Sequence, residues 1–381
     1  MAEMEQGYID SLIEKAQKAQ KEFESYSQEQ VDAIVKAMGK IIYDNAELIA
    51  KEAVEETGYG RVDSKILKIT RCTTAAWHYL HDKKSVGMID WDPVEKLATY
   101  AKPVGVVAAL VPTTNPVSTT VSNGMSILKS AYSSGRPSYG VGPGNVQVVV
   151  APDWTDYDKL AKQVVGSRSY DNGMPCTGEQ AIHLPADKVE QMKAAFVKQG
   201  AYILSDEDAK KLPGILFTEK GTTDPAHVGM LPSHLAKLMG LDIPDSTTLL
   251  LFPSQGMTRE NMLRREKLCP VVQFFPYENF EEGVSNAKSN LMWEGKGHSS
   301  VVYTNDEDCA KHAALELPVS RLLVNQPAGA ASGGNFINGL VPTMSLGCGS
   351  WGNNSISDNL SYKHLMNTTK LAFYHDPTIP E

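Results

Sequence analysis

No apolar run in the 381-residue sequence approaches the length of a membrane-spanning helix, so no such span is expected. No CxxC pair occurs, and the five cysteines (Cys72, Cys176, Cys269, Cys309 and Cys348) are scattered and odd in number. Neither a zinc site, nor any other metal site, nor a disulfide framework is expected from them. Free thiols of this kind suit a reducing cytoplasm, which is the expected location. Lysine and arginine are nowhere gathered into a stripe, and the formal net charge is −9, which argues against a nucleic-acid surface. Internal repeats and low-complexity blocks are absent. Residues 1–26 are acidic and lack the apolar centre of a signal peptide. What remains is ordinary for a soluble globular chain: 42% hydrophobic and 21% charged residues. The length allows one large core or two to three domains.

Helical spacing dominates the first 90 residues. Ile9, Leu12, Ile13 and Ala16 share one face of an amphipathic segment. Ser27 and Gln30 form the ends of a capping box before Val31, Ile34, Val35, Met38, Ile41 and Ile42. A further helix over 46–56 stops at Gly58, a suitable C-terminal glycine. Residues 97–100 read as a strand. Residues 104–111 form a continuous apolar run, as expected of a parallel strand covered on both faces, and Pro112 and Pro116 end it before a helix over 117–129. Beyond residue 147 strands and helices alternate. Strands are expected over 147–150, 248–252, 271–275, 300–303 and 321–324. Helices are expected over 157–169, 188–198, 232–239, 259–267, 280–289 and 306–317. The alternation predicts an α/β architecture with a largely parallel sheet. The adjacent Arg264 and Arg265 read as a solvated helix face, and the Gly- and Ala-rich 327–336 as a mobile loop.

Cys176 lies in SYDNGMPCTGEQ (169–180), behind the turn-forming Asp171, Asn172 and Gly173 and ahead of the apolar residues 181–184. That places the thiol on a loop between a helix and a strand, where nucleophiles are commonly displayed. A lone cysteine is otherwise most often a small buried hydrophobe.

Three stretches together resemble the CoA-acylating branch of the aldehyde dehydrogenase superfamily, especially the aldehyde dehydrogenase half of bifunctional aldehyde–alcohol dehydrogenases and its free-standing relatives. They are VGVVAALVPTTNP (104–116); SSGRPSYGVGPGN (133–145) with the Cys176 segment; and EKLCP (266–270), GKGHS (295–299) and LGCGSWG (346–352). They occur in the family's order, and the likeness runs from about residue 9 to about residue 371. One departure stands out. The chain passes from Ser130 straight into Ala131, where the family carries two or three further strand–helix units, roughly 60–90 residues. The resemblance therefore implies an aldehyde-dehydrogenase-like α/β fold with a truncated Rossmann-type cofactor domain. The expected division is a helical and cofactor-binding region (1–170), a thiol-bearing catalytic domain (171–345) and a C-terminal return with an oligomerisation segment (346–381). It further implies that 104–111 and 147–150 pair directly in a stunted sheet, and that 97–100 reaches into an oligomerisation sheet.

Chemically, the resemblance implies NAD-dependent oxidation of a small aldehyde to acyl-CoA through a thioester on Cys176, with CoA as co-substrate. The nucleophile would need an accessible thiol of lowered pKa and donors for the oxyanion, one being the Cys176 N–H and another the Asn115 side chain. Asn115 can equally form an Asx-Pro turn. Val111, Pro112, Thr113, Thr114, Asn115 and Pro116 would line the cofactor site with Gly142, Glu266 and Leu346. Glu266 is placed to hold the nicotinamide ribose, although a surface glutamate beside two arginines is the competing reading. His298 either moves a proton at the site or only bonds its loop. The glycine-rich 140–144 stands where hydrolytic relatives carry a glutamate base, which points to CoA and not water as the acyl acceptor. Cys348 reads as packing. Some relatives carry an N-terminal helix that targets bacterial microcompartments; here a packing role for that helix is preferred, because the resemblance already begins there. Homo-oligomers or assemblies with related subunits are expected, without nucleic acid or membrane. The alternative function is an NAD-binding-deficient structural subunit, or cofactor-free acyl transfer or thioester hydrolysis at Cys176.

Overall fold

The structure, a computed structural model, describes residues 2–108, 139, 140, 142–334 and 336–374. Four helices come first: α1 (Ala2–Phe23), α2 (Gln28–Asp44), α3 (Ala46–Thr57) and α4 (Val62–Leu80). The capping box forms as read, with Ser27 accepting from the Gln30 N–H and Gln30 accepting from the Ser27 N–H. Gly58 closes α3 in the left-handed conformation. The first helix does not pack as expected. Tyr8, Ile9, Leu12 and Ile13 remain exposed, and α2, which follows it, buries no residue of its own.

Strands β1 (Met88–Asp92), β2 (Leu97–Pro103) and β10 (Met366–Ala372) form a three-stranded antiparallel sheet with β2 in the middle. Its outer strands went unread because their polar and apolar residues do not alternate cleanly: Met366–Ala372 is almost wholly exposed.

The main sheet contains β3 (Val146–Val150), β4 (Glu179–Pro185), β5 (Ala201–Ile203), β6 (Leu249–Pro253), β7 (Val271–Tyr277), β8 (Gly297–Tyr303) and β9 (Val319–Val324). Its order is β5-β6-β7-β4-β3-β8-β9, and every pairing is parallel. The four central strands are buried along nearly their whole length, as covering both faces requires. Helices Tyr157–Arg168 and Val189–Lys198 cover one face with Val148, Val150, Ile182 and Leu184, while Phe280–Trp293 and Glu307–Glu316 cover the other with Val149 and Val302.

This topology corrects two expectations. The domain boundary after residue 170 would cut β3 away from the sheet in which it is central. Direct pairing of 104–111 with 147–150 is also excluded for the described residues, because β3 already carries β4 on one edge and β8 on the other. Residues 104–108 accordingly form no strand; Val104, Val106 and Val107 stand exposed.

Two local readings also change. The expected helix 259–267 is only the short turn Met262–Arg264. Arg264 is buried: it donates to Ser289 Oγ (2.8 Å), Asn290 Oδ1 (2.7 Å), the Thr258 carbonyl (3.0 Å) and the Met257 carbonyl. Arg265 pairs with Glu294 at 2.5 Å. Nor is 327–336 an open loop through its first half. Residues Ala328–Ala331 make one helical turn, with the Ala328 N–H on Glu179 (2.7 Å) and the Gly329 N–H on Ser167 Oγ (2.9 Å). Small side chains there serve close packing, not mobility.

Candidate active site

The sequence-read site residues gather at the amino ends of the four adjacent strands β7, β4, β3 and β8. Gly142 and Gly144 lead into β3, Cys176 precedes β4, Glu266 precedes β7, and His298 is the second residue of β8. The loop holding Leu346 and Cys348 packs over the start of β8, where a side chain at Gly297 would strike the Cys348 Cβ at 2.8 Å. Val111, Pro112, Thr113, Thr114, Asn115 and Pro116 lie outside the described residues, as does the Ser130–Ala131 junction.

Cys176 is half-buried on its loop. Its N–H meets no acceptor among the described residues, so it can serve as an oxyanion donor. The thiol does not have the lowered pKa expected of it. Burial first, then the Glu266 carboxyl and the Cys348 thiol, push it up to about 12, while Lys68 and then Arg321 pull it down. Gly144 presses against the Cys176 backbone so closely that any Cβ at 144 would overlap the Cys176 carbonyl group. Glycine is required there by contact, not by dihedral freedom.

Glu266 is no surface residue. Its Oε1 is sealed from solvent with no partner among the described residues. Desolvation, then the neighbouring Glu294, raise its pKa to about 8. A buried carboxyl with a vacant acceptor fits a hydroxyl-bearing ligand such as a nucleotide ribose. His298 is fully buried, and both ring nitrogens lack partners among the described residues, so the reading that it merely bonds its own loop fails. Loss of hydration and then Arg321 push it down to about 3, which leaves a neutral imidazole. Gly142 donates its N–H to Cys348 Sγ at 3.2 Å, and Leu346 is buried beside it. Cys348 is therefore packing, as read, but packing that fixes the glycine turn.

Sequence reading missed Arg321, which is buried and donates to the carbonyls of Gly297 (3.1 Å), His298 (2.9 Å) and Gly347 (2.8 Å), tying the His298 strand to the Cys348 loop. It also missed Lys68, Asp171 and Glu294. Only Asp171 had a local signal, its place in the turn.

The buried titrating groups give a stability profile with a definite sign. His183 and His298, both near 3, bind fewer protons folded than unfolded, so their contribution is lost as pH falls below 6.5. Glu179, near 7, and Glu266, near 8, bind more protons folded, so theirs is lost as pH rises above 4.5. The two effects oppose each other between 4.5 and 6.5; below 4.5 only the histidine loss remains. Urea unfolding should therefore show stability falling steeply between about pH 5 and pH 4. His298→Asn should flatten the acid limb; an unchanged limb would exclude His298 as a contributor.

A half-buried thiol, a free N–H beside it and a sealed carboxyl oxygen nearby suit an α/β enzyme that works through a cysteine thiol. The chain belongs to the aldehyde dehydrogenase family. That family's model matches residues 1–128. Over 437 aligned positions it is 39% identical to a succinate-semialdehyde dehydrogenase (acetylating) of Clostridium kluyveri, covering 96% of each chain. It is 27% identical to the bifunctional aldehyde–alcohol dehydrogenase of Escherichia coli K12, across 96% of this chain and 49% of that one. Among solved structures it superimposes on an acetylating aldehyde dehydrogenase of Geobacillus thermoglucosidasius with a TM-score of 0.91 at 27% identity, covering 98% of each. The alignment to the Clostridium protein carries the internal shortening too. Because 96% of 381 residues is about 366, about 71 of its 437 positions have no counterpart here.

Proposed function

We propose that this protein oxidises a small aldehyde of two to four carbons to the corresponding acyl-CoA, with NAD as oxidant and reversibly. The observation that carries the reading is the seating of Cys176 against Gly144 with Glu266 acting on its thiol, at the amino ends of the central strands where His298 also begins β8.

The Cys176 sulfur adds to the aldehyde carbon, and the carbonyl oxygen becomes an oxyanion held by the Cys176 N–H. Asn115 is the proposed second donor. His298, neutral and with two unpartnered nitrogens, can take or return the proton at that oxygen. Glu266 would hold the ribose of NAD, which would supply the hydride acceptor needed for the thiohemiacetal to become a thioester. CoA then takes the acyl group, returning the Cys176 thiol. The sum is aldehyde, CoA and NAD⁺ giving acyl-CoA, NADH and a proton.

Hydrolysis instead would need a carboxylate base for water. Glu266, whose carboxyl acts on Cys176, has a pKa near 8 and is mostly protonated at neutral pH. A thiol acceptor, whose ordinary pKa is about 8.5, needs no such base. With aldehyde and NAD present, NADH should therefore accumulate in step with acyl-CoA only when CoA is added. Free acid formed at the same rate without CoA would overturn the assignment. A cytoplasmic location and a homo-oligomer joined in part through the β1–β2–β10 sheet complete the proposal.

A further inference from the structure

The segment before the nucleophile has an unusual backbone. Asp171, Asn172 and Gly173 all lie in the left-handed region, with φ of 48°, 54° and 70°. Two non-glycine residues in a row there are costly and persist only where surroundings hold them. What holds them is the first half of α4. Asp171 is fully buried and accepts the Arg61 N–H at 2.8 Å and the Lys68 Nζ at 3.0 Å, with the Lys65 Nζ at 3.6 Å. Tyr170 donates its hydroxyl to the Ser64 carbonyl, and its ring lies 5.9 Å from Lys68 Nζ. Gly60 (φ 79°) leaves the space that Asp171 and Met174 occupy; a Cβ there would lie 2.6 Å from the Met174 methyl. Three residues beyond Gly173 comes Cys176, with only Met174 and Pro175 between.

A buried carboxylate must be paired, and one cation would neutralise it. Asp171 takes the Lys68 ammonium at 3.0 Å, with the Lys65 ammonium at 3.6 Å. We propose that Lys68 is a positioning residue for the nucleophile: its ion pair with Asp171 locks the left-handed turn that presents Cys176, and its charge favours the thiolate over the thiol.

The groups that face this pair are Arg61, Asp63, Lys65 and Cys72 from α4 and its start, and Tyr170 from the loop; those that face Cys176 are Glu266, Cys348 and Arg321. Of the two cations acting on the thiol, Lys68 has the larger effect. The inference rests on Cys176 being the nucleophile, and its test is chosen to separate the two claims.

Alkylation of Cys176 by iodoacetamide, followed by peptide mass mapping between pH 6 and 10, reads thiolate formation without turnover. In Lys68→Met the profile should move up by about one pH unit, so that the rate at pH 7.5 falls about tenfold. Lys68→Arg should recover most of the rate. Asp171→Asn removes the anion and leaves the cation, so its profile should move down. A merely structural role gives no such opposition of sign. Should Lys68→Met lose its cooperative melt, the downward shift of Asp171→Asn and the recovery in Lys68→Arg decide the matter. Profiles that superimpose on the wild type in folded variants would overturn the role of Lys68. Wild-type protein that takes up no acyl group on Cys176 from acyl-CoA would instead overturn the choice of nucleophile.

Discussion

Cys176→Ala is expected to abolish the acyl-enzyme and to cut CoA-dependent NADH formation by at least about 10⁴-fold, the scale on which enzymes lose covalent catalysis. Of the five cysteines, Cys269 and Cys348 are buried in packing, with Cys269 Sγ donating to the Lys267 carbonyl at 2.7 Å. Cys72 faces Met344 Sδ at 3.2 Å. Cys309 is partly exposed but lies on helix Glu307–Glu316, behind the opposite end of the sheet from the site. None of these meets the Gly144 turn, the Glu266 carboxyl and an unused N–H together, as Cys176 does. Incubation with acyl-CoA and intact-mass analysis is the direct measurement. The wild type should gain one acyl group, the Cys176→Ala variant none, and Cys309→Ser as much as the wild type. Acylation surviving in Cys176→Ala would place the nucleophile elsewhere.

What could be read ahead of the structure follows the range of the interactions responsible. Parallel strands such as β6 were legible because burial on both faces writes an unbroken apolar run, as in Leu249–Pro253. Cys176 was legible because its loop chemistry is local: Asn172 and Gly173 tolerate left-handed backbone, and they stand next to the thiol. Arg264 was misread because its acceptors are distant in sequence; Ser289 and Asn290 lie 25 and 26 residues away, and no local pattern announces them. The turn at 328–331 was misread for the same reason, since its partners Ser167 and Glu179 lie 162 and 149 residues away in sequence. The apolar run 104–111 carried a strand signal, but its described part, 104–108, forms no strand, and both edges of β3 are taken by β4 and β8. Lys68 sits in α4 among residues that look like any solvated helix, and its meaning depends on Asp171, 103 residues on.

The second large effect is expected at Gly144. A methyl group at 144 would occupy the space of the Cys176 carbonyl, and the overlap involves backbone on both sides, so no side chain can turn aside to relieve it. Either the 142–145 turn or the Cys176 loop must retreat. The turn is held by the Gly142 N–H on Cys348 Sγ and by Asn145, whose amide donates to the carbonyls of Arg264 (2.7 Å) and Glu294 (2.9 Å). The Cys176 loop is held by Arg168, which donates to the Gly173 carbonyl at 3.0 Å. A shift of about 1 Å at a reacting group can cost about 10²-fold in rate. Gly144→Ala should therefore lower kcat/KM by at least about 10²-fold. Gly166→Ala is the control. It lies exposed in helix Tyr157–Arg168 with nothing near its added methyl, and alanine there should stabilise the protein by about 0.5–1 kcal/mol without changing turnover. Steady-state kinetics with thermal melts on both variants distinguishes the outcomes. If Gly144→Ala retains wild-type kcat/KM, the Cys176 loop is not seated against the glycine turn, and the site as assembled here is wrong.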